Sequence, residues 1–124
     1  MSEKSLHEGV AYYLRYQYPG ILFNSDMAGS QKLTERQAGD MKKLRSNRGF
    51  PDIAIYEPRQ GYHGLFIELK AEGTRIHKKD GITPANDHIA EQREVMQLLR
   101  EKGYLAGFAV GFENAKAMID NYLR

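Results

Sequence analysis

Asp52, Glu68 and Lys70 are charged residues in segments that otherwise read as buried strands, Asp52-Ile53-Ala54-Ile55-Tyr56 and Leu65-Phe66-Ile67-Glu68-Leu69-Lys70. A sheet covered on both faces rejects such charges unless they find a partner, a cation or water. Side chains alternate along a strand, so Glu68 and Lys70 share a face, about 6.6 Å apart. If the two segments pair antiparallel through the turn region around Gly61, the Asp52 carboxylate sits beside that of Glu68. Like charges so close need a bridging cation. An all-oxygen pair with room left for water suits Mg²⁺ or Mn²⁺ rather than zinc.

These residues must be held by a larger frame. Leu6, Val10, Tyr13, Leu14 and Gln17 recur at helical spacing until Pro19-Gly20, and Ser5-Leu6-His7-Glu8 fits a capping box at the start of that helix. Ile21 to Asn24 reads as a strand, followed by a polar, glycine-punctuated connection from Met27 to Arg48 that contains a helix over Thr34–Leu44. The two motif strands, Asp52–Tyr56 and Gly64–Lys70, are separated by Glu57-Pro58-Arg59-Gln60-Gly61. Ala71 to Asp87, rich in Gly, Lys, Asp, Thr and Pro, is expected to be a mobile loop beside the site. A helix then starts at a cap on Asn86 or Asp87 and ends at Gly103, a strand covers Tyr104–Val110, and a last helix runs from Glu113 to Leu123. The order α, β, β, β, α, β, α predicts an α/β fold, a mixed sheet flanked by helices.

With 124 residues the chain makes one domain, too short for a catalytic unit and a separate recognition unit. Zero cysteines exclude a disulfide scaffold, a cysteine zinc site and thiol catalysis. No apolar run suits a membrane span or a signal peptide, so a soluble, cytoplasmic protein with no membrane partner is expected. A net charge of +2 says little by itself. Its distribution says more: Lys32, Arg36, Lys42, Lys43, Arg45 and Arg48 precede the acidic pair, and Arg75, His77, Lys78 and Lys79 follow it. Such flanks suit a polyanion drawn to a negative centre. The four histidines lack zinc-ligand spacing, with His77 and His88 read as surface residues, and no phosphate-binding glycine loop is present. Gln92 falls on the apolar side of its helix, where an amide needs partners. Tyr12, Tyr13, Tyr16 and Tyr18 cluster around the end of the first helix, where core packing or a subunit contact accounts for them better than base stacking.

The motif Pro51-Asp52, fifteen intervening residues, then Glu68-Leu69-Lys70 resembles that of the PD-(D/E)xK nucleases. Glu8 in the first helix, the Gly-x-Pro-Asp start from Gly49 to Asp52, and a helix beginning near His88 that carries Gln92 resemble one branch, the VRR-NUC nucleases, over nearly the whole chain. The resemblance implies a restriction-endonuclease-like core. It also implies that Asp52, Glu68 and the Leu69 carbonyl hold Mg²⁺ or Mn²⁺, with Glu8 holding a second ion or its hydration shell. Lys70 would orient or help deprotonate the attacking water, and Gln92 would help position that water or Lys70. The implied activity is a metal-dependent DNA endonuclease, structure-selective on branched DNA such as four-way junctions and acting as a homodimer. Lys42, Lys43, Arg45, Arg48, Arg75, Lys78 and Lys79 are then the expected DNA contacts. The alternative is a nucleic-acid-binding module that keeps the fold without cutting.

Overall fold

A computed structural model of the chain describes residues 2–26 and 33–124, so Lys32 of the first basic group lies outside the described residues. The elements are α1 (Glu3–Gln17), β1 (Phe23–Ser25), α2 (Glu35–Lys43), β2 (Ile53–Ile55), β3 (Leu65–Lys70), α3 (Asp87–Glu101), β4 (Leu105–Val110) and α4 (Phe112–Leu123). This is the expected order, with α2 inside the connection from β1 to β2. Its start is set locally: Thr34 Oγ1 accepts the Gln37 N–H while Gln37 Oε1 accepts the Thr34 N–H. Two otherwise unsatisfied donors are thereby paired.

The start of α1 differs from expectation. Ser2, not Ser5, is the N-cap, and its hydroxyl accepts the Ser5 N–H at 3.1 Å. Glu8 therefore lies in the second turn and closes no capping box.

The sheet order is β1-β2-β3-β4. β1 with β2 and β2 with β3 are antiparallel, whereas β3 with β4 is parallel, with α3 in the crossover that a parallel pair needs. Leu65, Ile67 and Leu69 of β3, with Ile53 and Ile55 of β2, face a core closed by Leu6, Val10 and Leu14 of α1 and Ala115, Ile119 and Tyr122 of α4. Asp120 ties those two helices, its Oδ1 accepting from the hydroxyls of Tyr13 and Tyr18 at 2.5 Å each. Burial and the bond to Asp120 push the Tyr13 hydroxyl up to about 12, so it remains a donor. Of the tyrosine cluster, Tyr13 and Tyr18 thus pack inward while Tyr12 and Tyr16 stay exposed. α3 covers the other face of the sheet and buries Ile89, Gln92, Val95 and Met96.

The segment between β3 and α3 is more ordered than its composition suggested. His77 and Pro84 form a bridge, and Asp80 and Gly81 turn the chain between them. Among the described residues, no helix is long and apolar enough to cross a membrane.

Candidate active site

The antiparallel register of β2 and β3 pairs Ile53 with Ile67, so the next step outward sets Asp52 opposite Glu68. Asp52 Oδ2 accepts the Leu69 backbone N–H at 3.0 Å and lies 3.7 Å from His7 Nε2. A strand residue points its N–H and C=O to the same side, which directs the Leu69 carbonyl toward Asp52 as well. Glu68 is 3% exposed, and its Oε1 accepts from Gln92 Nε2 at 2.6 Å. Burial, then the hydrogen bond and charge of Asp52, hold Glu68 well above the usual carboxylate range, with Glu3 adding to the shift and Lys70 opposing it. Buried Lys70 completes this wall. The two strands thus deliver the expected convergence of two acids and an amine.

These groups line a cavity of about 130 Å³, room for a few water molecules and far too little for a nucleotide. Gln92 enters from α3, as its place on the apolar side required. His88 lines the same cavity although it is exposed, and its Nε2 lies 3.2 Å from Gln92 Nε2, an acceptor in the tautomer that leaves Nε2 bare. Reading it as a plain surface residue missed this placement.

Glu8 is a correction. Its side chain is exposed and does not line the cavity; Glu3 and His7 do. Successive helical residues are separated by about 100°, which swings Glu8 away from the stripe formed by Glu3, His7, Val10 and Leu14. That stripe, at spacings of four, three and four, was the signal that could have found Glu3 and His7. Asp26, just past β1, also lines the cavity and pairs with Arg45 at 2.5 Å. Nothing in its local sequence marked it.

The first basic group adjoins the cavity. Lys42, Arg45 and Arg48 line a groove of about 780 Å³ beneath α2 that shares Arg45, Gly49 and His88 with the acidic cavity. Lys43 is exposed on the last turn of α2, a helix with no buried residue. Arg75, Lys78 and Lys79 are exposed on the connection from β3 to α3, outside the cavity lining. The structure brings together Asp52, Glu68, Leu69, Lys70 and Gln92, sets Lys42, Arg45 and Arg48 in the adjoining groove, and leaves Arg75, Lys78 and Lys79 outside both linings.

The donor set fits a small, oxygen-seeking divalent ion that keeps part of its water shell. Among the described residues, no three His, Cys, Asp or Glu side chains form a ready ligand group. The acid pair and the Leu69 carbonyl are the protein donors available. His7 Nδ1 and Gln92 Oε1 are buried without a hydrogen-bond partner, the condition expected of groups that meet ordered water.

Gly49 explains the spacing before Asp52. Its φ is +81°, and a Cβ there would come within 3.0 Å of the Gln92 backbone nitrogen. Gly49→Ala is therefore expected to destabilise the fold by at least about 1–2 kcal/mol from backbone conformation alone. It would also push α3, and with it Gln92, off Glu68. Denaturant unfolding checks this, and an unchanged midpoint would refute it.

No family model matches the sequence, and no curated protein does. Among solved structures, one described as a VRR_NUC domain protein is similar over 99% of this chain and 88% of its own, with TM-score 0.66 and 25% identity. Another, described as a VRR_NUC domain, has TM-score 0.49 and 21% identity over 97% of this chain and 96% of its own. The first match and the mixed four-stranded sheet agree: the chain has the VRR-NUC family fold, a nuclease-type fold.

Proposed function

We propose that this protein is a metal-dependent DNA endonuclease that hydrolyses phosphodiester bonds, selective for branched DNA such as four-way junctions and acting as a homodimer. The observation that carries the reading is Asp52 set opposite Glu68, with the Leu69 N–H on Asp52 and Lys70 two residues beyond Glu68. The similarity to a VRR_NUC domain protein supports the same chemistry. Branch selectivity and dimerisation rest on the resemblance of the motifs to the VRR-NUC nucleases, and one small centre per chain makes a second copy necessary for paired cuts.

Asp52, Glu68 and the Leu69 carbonyl would hold Mg²⁺ or Mn²⁺, which supplies Lewis acidity toward the phosphate and lowers the pKa of water. Every other contribution comes from the chain. Gln92 fixes the rotamer of Glu68 by its 2.6 Å bond, so the acid pair keeps its orientation as substrate arrives. Lys70 aligns the water and stabilises the negative charge that grows on the phosphoryl oxygens. Water adds through oxygen to phosphorus, the bond from phosphorus to the leaving oxygen breaks, and a proton ends on that oxygen. Lys42, Arg45 and Arg48 attract the phosphate backbone along the groove that opens into the cavity.

The test is a panel of labelled duplex, flap and four-way-junction DNA with Mg²⁺, Mn²⁺ or EDTA. Scission that needs the divalent ion and is fastest on the junction supports the reading. DNA binding without metal-dependent scission on any substrate would make the protein a non-cleaving binding module instead.

A further inference from the structure

The connection from Lys70 to Asp87 joins the two walls of the cavity, β3 with Glu68 and Lys70 and α3 with His88 and Gln92. Its outer part is a finger stiffened by its own bonds. Lys78 N–H donates to the Thr83 carbonyl at 2.8 Å and Ala85 N–H to the Ile76 carbonyl at 3.1 Å. Asp80 Oδ1 accepts the N–H groups of Ile82 and Thr83 at 2.9 and 2.8 Å, and Asp80 also accepts from the Thr83 hydroxyl. Arg93, the residue after Gln92, donates to the Ile82 carbonyl at 2.6 Å and so fastens the tip to α3. Both backbone groups of Ile82 are thereby engaged, while the residue is 72% exposed. A single exposed isoleucine is ordinary on a protein surface. This one stands at the end of a braced finger, beside exposed Lys78 and Lys79, on the segment that links the two catalytic walls.

We propose that this finger is a DNA wedge: Ile82 enters a base-pair step next to the scissile phosphate, while Lys78 and Lys79 hold the flanking phosphates. The proposal deepens the nuclease reading and rests on it for the choice of DNA. An apolar side chain pressed between base pairs unstacks and kinks the duplex, and neighbouring lysines on the phosphates register it without reading sequence. Asp80, the exposed acid at the tip, uses its carboxylate to accept the turn's own N–H groups from Ile82 and Thr83. A kink set by a finger rooted in β3 and pinned to α3 is presented in fixed relation to the acid pair. A base-pair step at a branch opens more readily than one inside a duplex, so the finger favours branched DNA for a physical reason.

The experiment uses four-way-junction DNA with 2-aminopurine beside the branch point, bound in EDTA so that nothing is cut. Wild type is expected to raise 2-aminopurine fluorescence as the base unstacks. Ile82→Ser is expected to lose most of that rise, at least about fivefold, with no change in melting temperature because the side chain is exposed. Ile82→Leu, which keeps the apolar bulk, is expected to retain it. In Mg²⁺, Ile82→Ser should slow scission of the paired junction about tenfold but that of a junction with a mismatch at the branch less than about twofold, since that step is already open. Equal fluorescence changes in wild type and Ile82→Ser, or no DNA binding by wild type, would overturn the wedge. Scission with Ile82-independent fluorescence removes the wedge and leaves the nuclease. An Ile82-dependent rise without scission under any condition removes the nuclease and leaves the wedge.

Discussion

Lys70→Ala is expected to slow phosphodiester scission by at least about 10²–10³-fold, the scale on which removing one charge-stabilising group acts in other hydrolases. DNA affinity should change no more than about threefold, because the phosphate contacts proposed above fall on exposed basic residues and on the groove under α2, not on this buried lysine. Asp52→Asn should be at least as severe. The amide presents a neutral oxygen and can turn an NH₂ group toward Leu69, whose N–H now bonds Asp52 at 3.0 Å. Single-turnover kinetics with saturating enzyme separate binding from chemistry. A Lys70→Ala rate within about threefold of wild type would remove Lys70 from the mechanism.

The second large effect is on stability. Glu68 has an ordinary value of 4.5 and is raised far above it in the folded protein by burial first and by Asp52 second. The folded state therefore keeps a proton on Glu68 at pH values where the unfolded chain has lost it. Stability from this group is fully present below pH 4.5 and is lost as pH rises toward the folded value. In EDTA the protein should weaken from pH 5 to 9, by up to about 1.4 kcal/mol per pH unit for the one proton involved. Glu68→Gln keeps the oxygen that Gln92 bonds and removes the titration. It is expected to melt higher than wild type at pH 8 in EDTA, with a flatter pH profile, while losing scission. Mn²⁺ should raise the melting temperature of wild type most at high pH, where cation and proton compete least for the acid pair, and should leave Glu68→Gln nearly unchanged. Melting curves across pH, with EDTA or Mn²⁺, check each statement. A wild-type profile as flat as that of the variant would show that Glu68 does not carry the buried proton.

The core of the site was legible because strand geometry is periodic. Charges at positions 52, 68 and 70 in apolar runs had to share a face and find each other, and a single antiparallel register achieved it. Gln92 was legible for the same kind of reason, since an amide on the buried side of α3 needed a partner and found Glu68. Glu8 misled because its role came from the resemblance alone, while α1, capped at Ser2 rather than at Ser5, turns that side chain to solvent. Moving the start changes no side-chain angle, and the angle alone puts His7 and Glu3 at the cavity. Asp26 and Arg45 meet across a span of 19 residues through tertiary folding, and no local period reports such a contact. The 71–87 segment looked loose by composition. Its Asp80-Gly81 pair is a turn signal, and the side chain of Asp80 converts a polar stretch into a braced hairpin.

On the proposed reading, Asp52 and Glu68 together hold a divalent ion beside Lys70. Calorimetric titration of Mn²⁺ into the metal-free protein tests it without any assumption about substrate. Saturable binding in wild type, lost in both Asp52→Asn and Glu68→Gln and kept in Lys70→Ala, is the predicted result; no binding in wild type, or binding undiminished in the two acid variants, would contradict it.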